Sequence, residues 1–232
     1  MNFDYSKAFS RNIGWVTPSE QETLRGKRVA IAGMGGVGGW HLLTLTRLGV
    51  GKFTLADFDT FGIENFNRQF GANMATLGQP KVEVLARMAA QVNPDARIVT
   101  FADGVNDANL ERFLGGVDLY VDGLDFFAFG ARQAVFAACA RLAIPAVTAA
   151  PLGMGAAVLT FMPGKTSFED YFQWGDLPDE EKALRFLTGL APAALHRTYL
   201  VDPSRVNMAE KRGPSTIIGC ECVDEIADFA GV

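Results

Sequence analysis

Apolar residues dominate short runs at 28–32, 52–56, 96–101, 117–122, 144–148 and 154–161. Runs of that length, without polar alternation, suit strands buried on both faces of a sheet. Between them the spacing changes to that of helices: Leu42, Leu45 and Leu48 recur at three, a second helix runs from Lys81 to about Val92, and further helices are expected over 107–114 and 126–142. Asn93 and Pro94 end the second of these. Strands alternating with helices build a doubly wound, mostly parallel α/β sheet with helices on both faces.

The two ends of the chain break this rhythm. Residues 1–26 read as an N-terminal arm, in which Phe9-Ser-Arg-Asn-Ile-Gly-Trp15 is too apolar for a free tail. Within it Arg11 is either merely solvated or functional. A short helix over 19–25 carries a capping-box pattern in Ser19 and Glu22. Residues 27–162, between these ends, form the expected domain of alternating strands and helices. From Pro163 the character becomes aromatic and acidic, as in Phe168-Glu-Asp-Tyr-Phe-Gln-Trp174, and residues 202–212 read as a polar loop. Residues 163–232 are expected to be an inserted segment facing a partner or substrate, returning to the core near Gly213-Pro-Ser215.

The chemistry begins where the first strand ends. Gly33, Gly35 and Gly38 give G-x-G-x-x-G, placed after a strand and at the start of a helix, which is the context in which this fingerprint counts. Its glycines permit a tight turn and a close backbone approach to phosphate, with the helix N-terminus aimed at the anion. The second strand ends in Asp57, placed to accept hydrogen bonds from ribose hydroxyls. The fold expected is therefore Rossmann-like. If Asn65 to Gln69 forms a helical turn, then Asn65, Arg68 and Gln69 share a face that suits a polyphosphate, or else an exposed polar turn. Lys81 lies in the first turn after Pro80, an odd place for a cation unless an anion is near. Asp122 and Asp125 sit at the carboxyl end of a strand, where open α/β sheets hold ligands. Asp125 has two readings, a helix cap or, beside a triphosphate, a magnesium ligand.

Composition narrows the classes. The formal net charge is −5 and no basic stripe is present, so nucleic acid is not an expected partner. No apolar run is long enough to span a bilayer and the start is polar, so no membrane is expected and the cytoplasm is the expected compartment. The cysteines are Cys139, read as core, with Cys220 and Cys222, whose spacing does not suit a zinc site. No zinc is expected. His41 and His196 belong to no motif and read as structural.

Together, Gly33-x-Gly35-Gly36-x-Gly38, Asp57, Asp59, Asn65-x-x-Arg68-Gln69, Gly78-Gln-Pro-Lys81 and Asp122-Gly-Leu-Asp125 resemble, in order and spacing, the ThiF/MoeB/HesA-type adenylyltransferases, the ubiquitin-activating-enzyme-like group. Ser10-Arg11-Asn12-Ile13 resembles that family's N-terminal element, and the likeness covers roughly residues 9–161. The resemblance implies ATP and Mg²⁺ as cofactors, with the glycine loop, Asp57 and Asp59 on the nucleotide. It implies phosphate contacts from Asn65, Arg68, Gln69 and Lys81, Mg²⁺ on Asp125 supported by Asp122, and Arg11 reaching the site of the other subunit of a homodimer. The implied reaction converts a carboxylate, such as the C-terminus of a ubiquitin-like protein or a peptide, into an acyl-adenylate with release of pyrophosphate. The chain departs from many members in lacking paired Cys-x-x-Cys motifs, any cysteine between Cys139 and Cys220, and a longer C-terminal part. Two other classes stay open: a NAD-dependent oxidoreductase, and an inactive nucleotide-binding scaffold for another subunit.

Overall fold

The structure, a computed structural model, describes residues 2–152 and 155–193. Six strands form one sheet: β1 Arg28–Ala32, β2 Lys52–Ala56, β3 Arg97–Phe101, β4 Leu119–Asp122, β5 Ala146–Leu152 and β6 Gly155–Phe161. Their order is β3-β2-β1-β4-β5-β6, parallel throughout except for the antiparallel β5–β6 pair. Ala32 is level with both Ala56 and Asp122. The carboxyl ends of β1, β2 and β4 thus lie side by side. Strand order reverses between β1 and β4, and a crevice at such a switch point is where this sheet type binds ligands.

The helices are α1 Tyr5–Ala8, α2 Pro18–Gly26, α3 Gly36–Leu48, α4 Lys81–Val92, α5 Leu110–Phe113, α6 Phe129–Arg141, α7 Phe168–Phe172 and α8 Asp179–Leu190. Successive strand residues point to opposite faces, so each buried run serves two layers. Val29, Ile31, Phe53, Leu55 and Val121 pack with Leu24 of α2 and the apolar faces of α3 and α4. Ala30, Ala32, Ala56 and Ala146 face the other way, and their small size leaves room for the aromatic rings of α5 to α8. Of the segment expected to face a partner, residues 163–193 lay Phe168, Phe172, Trp174 and Phe186 in that second layer, fully buried. The remainder, with Asp202, Gly213, Cys220, Cys222 and His196, lies outside the described residues.

Local boundaries differ from expectation for identifiable reasons. The cap of α2 is Thr17, not Ser19: its side chain accepts from the Glu20 amide while the Glu20 carboxylate accepts from the Thr17 amide at 2.7 Å. Pro18 decides the matter, because its fixed φ and missing N–H suit the first helical position. β5 continues through Pro151, expected as part of a turn. Beyond Thr148 only β6 pairs with it, so one side of the strand needs no donor.

The arm of residues 2–26 is tied to the C-terminal end of α3. Gly49 ends that helix in the left-handed region, at φ +99°. Asn12 Nδ2 and Gln21 Nε2 both donate to the Leu48 carbonyl, at 3.0 and 2.9 Å, and the Tyr5 hydroxyl donates to the Gly49 carbonyl at 2.6 Å. Side chains of the arm thereby satisfy carbonyls that the helix end leaves open.

Candidate active site

The glycine loop divides by function. Gly33 has φ +89°, and a methyl group there would overlap the Gly123 carbonyl oxygen; one at Gly38 would overlap the Gly33 carbonyl oxygen. These two glycines let the turn after β1 press against the turn after β4, backbone on backbone. Gly35 and Gly36 are different. A methyl group at either would meet nothing nearer than Gln69 Nε2 at 3.7 Å and Arg68 Cγ at 3.6 Å. They form the open side of the loop. Gly35 caps α3 without any side-chain bond, and no acid stands in the first turn, so the helix N-terminus offers its amides and dipole to an outside anion.

A chain of hydrogen bonds leads from this loop to the first turn of α4. Asp57 Oδ2 accepts from the Met34 amide at 2.6 Å, Asp57 Oδ1 accepts from the Asp59 amide at 2.7 Å, and Asp59 Oδ2 accepts from Lys81 Nζ at 3.0 Å. Burial raises the Asp57 carboxyl above its usual range, against the two backbone donors and Lys81. The anion that makes Lys81 tolerable in a first turn is thus Asp59. The lysine side chain is 7% exposed and the aspartate 54%, so the aspartate can turn to water if a ligand takes the ammonium.

Residues 62–78 form a loop closed at its base. The Phe61 amide donates to the Gln79 carbonyl, the Gly78 amide to the Phe61 carbonyl and the Lys81 amide to the Asp59 carbonyl, at 3.0, 2.8 and 2.9 Å. Inside it, the amides of Arg68 and Gln69 both bond to the Asn65 carbonyl, giving the expected helical turn. The three polar side chains do not act alike. Asn65 Oδ1 accepts from the Gly62 amide and closes the turn. Arg68 lies along Gly36 and donates to the Glu64 carbonyl at 2.9 Å. Gln69 is buried, with Oε1 unpaired.

The β4 turn holds the two carboxylates in contrasting settings. Asp122 is buried and accepts from Arg132 Nε at 2.7 Å, the Thr148 hydroxyl at 2.9 Å and the Leu124 amide at 3.2 Å. Asp125 is exposed. It does not cap α6, whose N-cap is Ala128; its Oδ1 instead accepts from the Phe127 amide at 3.0 Å, closing a turn ahead of the helix. Arg132, absent from the sequence reading, is the base of this turn. It sits beside Gln133 in a helix that is apolar from Ala134 to Ala140, so its charge is the feature that needs a partner if buried.

Among the described residues no group of three or more His, Cys, Asp or Glu side chains is placed to hold a metal. Magnesium takes one or two carboxylates and completes its shell with substrate phosphates and water. Asp125, exposed and two residues beyond the Gly123 that packs on Gly33 and Gly38, fits that requirement. Arg11 stands apart from these groups. Its neighbour Asn12 is bonded at the C-terminal end of α3, whereas the glycine loop is at the N-terminal end, about 18 Å away along the helix. One arginine side chain does not cover that distance within its own chain.

The sequence model of the ThiF family matches residues 9–198. The tRNA threonylcarbamoyladenosine dehydratase of Bacillus subtilis is 33% identical over 150 residues, covering 64% of this chain and 57% of that protein. The molybdopterin-synthase adenylyltransferase of Escherichia coli is 36% identical over 141 residues, covering 61% of this chain and 56% of that protein. The chain therefore spans little more than half the length of these curated relatives. The solved structure of the E. coli tRNA N6-threonylcarbamoyladenosine dehydratase in complex with ATP is alike in fold, with a TM-score of 0.65 at 19% identity, over 97% of this chain and 94% of that one.

Proposed function

This chain belongs to the ThiF family, and from that premise we propose that it is an ATP-dependent adenylyltransferase acting on a carboxylate. A carboxylate oxygen attacks the α-phosphate of ATP, the bond from that phosphorus to the bridging oxygen of pyrophosphate breaks, and an acyl-adenylate remains. A carboxylate at neutral pH is already the nucleophile, so no general base is required. What the site must do is bring one anion to another and stabilise a third as it leaves, by positioning and fixed positive charge.

The observation that carries this reading is the open side of the glycine loop: Gly35 and Gly36, where even a methyl group would make only ordinary contacts, over an uncapped helix N-terminus with Arg68 alongside. In this assignment Gly35, Gly36 and the first turn of α3 cradle phosphate, while Arg68 and Gln69 flank it. Lys81 transfers its ammonium from Asp59 to phosphate, and Asp57, oriented by the Met34 and Asp59 amides, accepts from the ribose. Asn65 shapes the turn that carries Arg68. Asp125 would hold Mg²⁺, and the ion would supply charge neutralisation between the phosphates. Arg11, too far from its own glycine loop, serves the partner's site in a homodimer. The substrate class is a terminal carboxylate of a ubiquitin-like protein or peptide. The E. coli relative, by its name, adenylylates a protein, which favours that class over a free metabolite.

Pyrophosphate exchange into ATP tests the proposal, run with candidate carboxylates that include small proteins ending in Gly-Gly. Asp125→Asn is the informative variant. Asparagine retains an oxygen for the Phe127 amide, so melting temperature without nucleotide should hold. Exchange should fall about a hundredfold or more, as for loss of a principal electrostatic group. Full exchange by Asp125→Asn with a proven substrate refutes the magnesium assignment. Stabilisation by NAD but not by ATP with Mg²⁺ in a thermal-shift comparison refutes adenylation itself.

A further inference from the structure

Arg132 does more than neutralise Asp122. Its Nη2 donates to the carbonyls of Leu124 and Asp125 at 2.7 and 3.0 Å, and its Nη1 to that of Phe126 at 3.1 Å, while Nε holds Asp122. Along an extended chain, successive carbonyls point to alternate sides. Three in a row aimed at one guanidinium mean that residues 124–126 are curled around it. With those carbonyls turned inward, the Asp125 side chain is left at the surface.

A buried ion pair is a costly way to stabilise a fold, since desolvating both charges offsets much of their attraction. Here both side chains are 2% exposed. What the pair supplies is geometry. The guanidinium is a planar fork with donors in fixed directions, so it dictates where three carbonyls lie in a way an ammonium on a flexible stem does not. The other face of the fork is covered by the Phe186 ring of α8, 4.7 Å from the guanidinium carbon. Phe186 in turn packs on Phe172, Trp174 and Phe126. A side chain of the 163–193 segment therefore touches the group that sets the Asp125 turn.

We propose that Arg132 is the positioning residue for Asp125, and that α8 acts on the magnesium carboxylate through Phe186 and the Arg132 fork. This rests on the adenylyltransferase reading for its consequence, though not for its geometry. A shift of α8 then changes how Asp125 is presented, without touching it.

Two variants test it in the full chain. Arg132→Lys keeps a positive charge for Asp122 but loses the fork; Phe186→Leu keeps apolar volume but removes the ring. The first readout is amide hydrogen exchange of Phe127 and Ala128 without nucleotide, because both amides bond to Asp125. The second is the Mg²⁺ concentration that half-saturates pyrophosphate exchange, set against KM for ATP at saturating Mg²⁺. Arg132→Lys should speed amide exchange and raise the Mg²⁺ requirement about tenfold or more, as loss of a group orienting a metal ligand does. KM for ATP should stay within about twofold, since the glycine loop and Lys81 are untouched. Phe186→Leu should move both readouts the same way by about threefold. If Arg132→Lys does not fold, Phe186→Leu, which leaves the Asp122 pair intact, decides the question alone. A folded variant with wild-type amide exchange overturns the proposal, as does one whose amides exchange faster while its Mg²⁺ requirement is unchanged. If the wild type shows no pyrophosphate exchange with any carboxylate, the adenylation reading fails, while the amide readout still reports whether Arg132 holds the turn.

Discussion

His41 offers a quantitative test of the buried layer beneath the glycine loop. It lies in α3 at 1% exposure, and neither ring nitrogen has a partner. Burial lowers its pKa from 6.5 to about 4, with Asp122 as the charge that opposes the drop. The sign follows from linkage. Above the unfolded pKa neither state is protonated and His41 contributes nothing to pH dependence. As pH falls from 6.5 the unfolded chain takes up a proton that the folded chain refuses until about pH 4, so stability is lost across that window. The loss is about 2 kcal/mol near pH 5 and about 3 kcal/mol at its limit below pH 4. His41→Leu removes the titration and also two unpaired polar atoms. Near pH 7.5 the variant should be at least as stable as wild type, and by about pH 5 its advantage should grow by about 2 kcal/mol. Urea denaturation at both pH values measures this directly. Parallel loss of stability in the two proteins, with no change in the gap, refutes a neutral buried imidazole.

The remaining expectations are shorter. Gly33→Ala should lower stability by several kcal/mol or prevent folding, since it sets a methyl group against the Gly123 carbonyl at φ +89°. Gly36→Ala should fold normally by circular dichroism yet lose ATP binding by calorimetry; normal binding would show that the open side is not the phosphate cradle. An Arg11→Ala subunit mixed with an Asp125→Asn subunit should recover part of the activity that each lacks alone, because one site of the mixed dimer regains both groups. A fully active monomer contradicts that arrangement. Cys139, buried and with its thiol pushed up to about 12, should resist iodoacetamide at neutral pH in the folded protein and react once urea unfolds it, as read by peptide mapping.

The parts of this molecule legible in sequence are those in which one residue type has one physical reason to be present. Val29 to Ala32 and Phe53 to Ala56 are fully buried strand residues, and a run dominated by apolar residues says as much. The glycine spacing announces close backbone approach, although it does not say that Gly33 and Gly38 meet another turn while Gly35 and Gly36 stay open. Rival signals cannot be ranked from sequence alone. Thr17 with Glu20 and Ser19 with Glu22 are equal as capping patterns, and only Pro18 favours the first. Long-range partners are invisible to periodicity. Nothing local to Arg132 reveals that its fork gathers the carbonyls of Leu124 to Phe126. Likewise, nothing in the aromatic and acidic run at Phe168 to Trp174 tells that Phe168 stacks on Phe136 of α6 and packs on Phe161 of β6.

The strand order has a consequence for how the chain reaches this state. Only β5 and β6 pair with a neighbour close in sequence among the described strands; every other pairing waits for a crossover to close. The longest wait is at the centre, where Ala32 of β1 must find Asp122 of β4, about 90 residues later. Contacts of such high order come late, because loop entropy is lost before they form. The union of the two turns, with Gly33 and Gly38 against Gly123, is therefore expected among the later steps of folding. A ligand that needs both turns in place should then slow unfolding and leave the folding rate nearly unchanged.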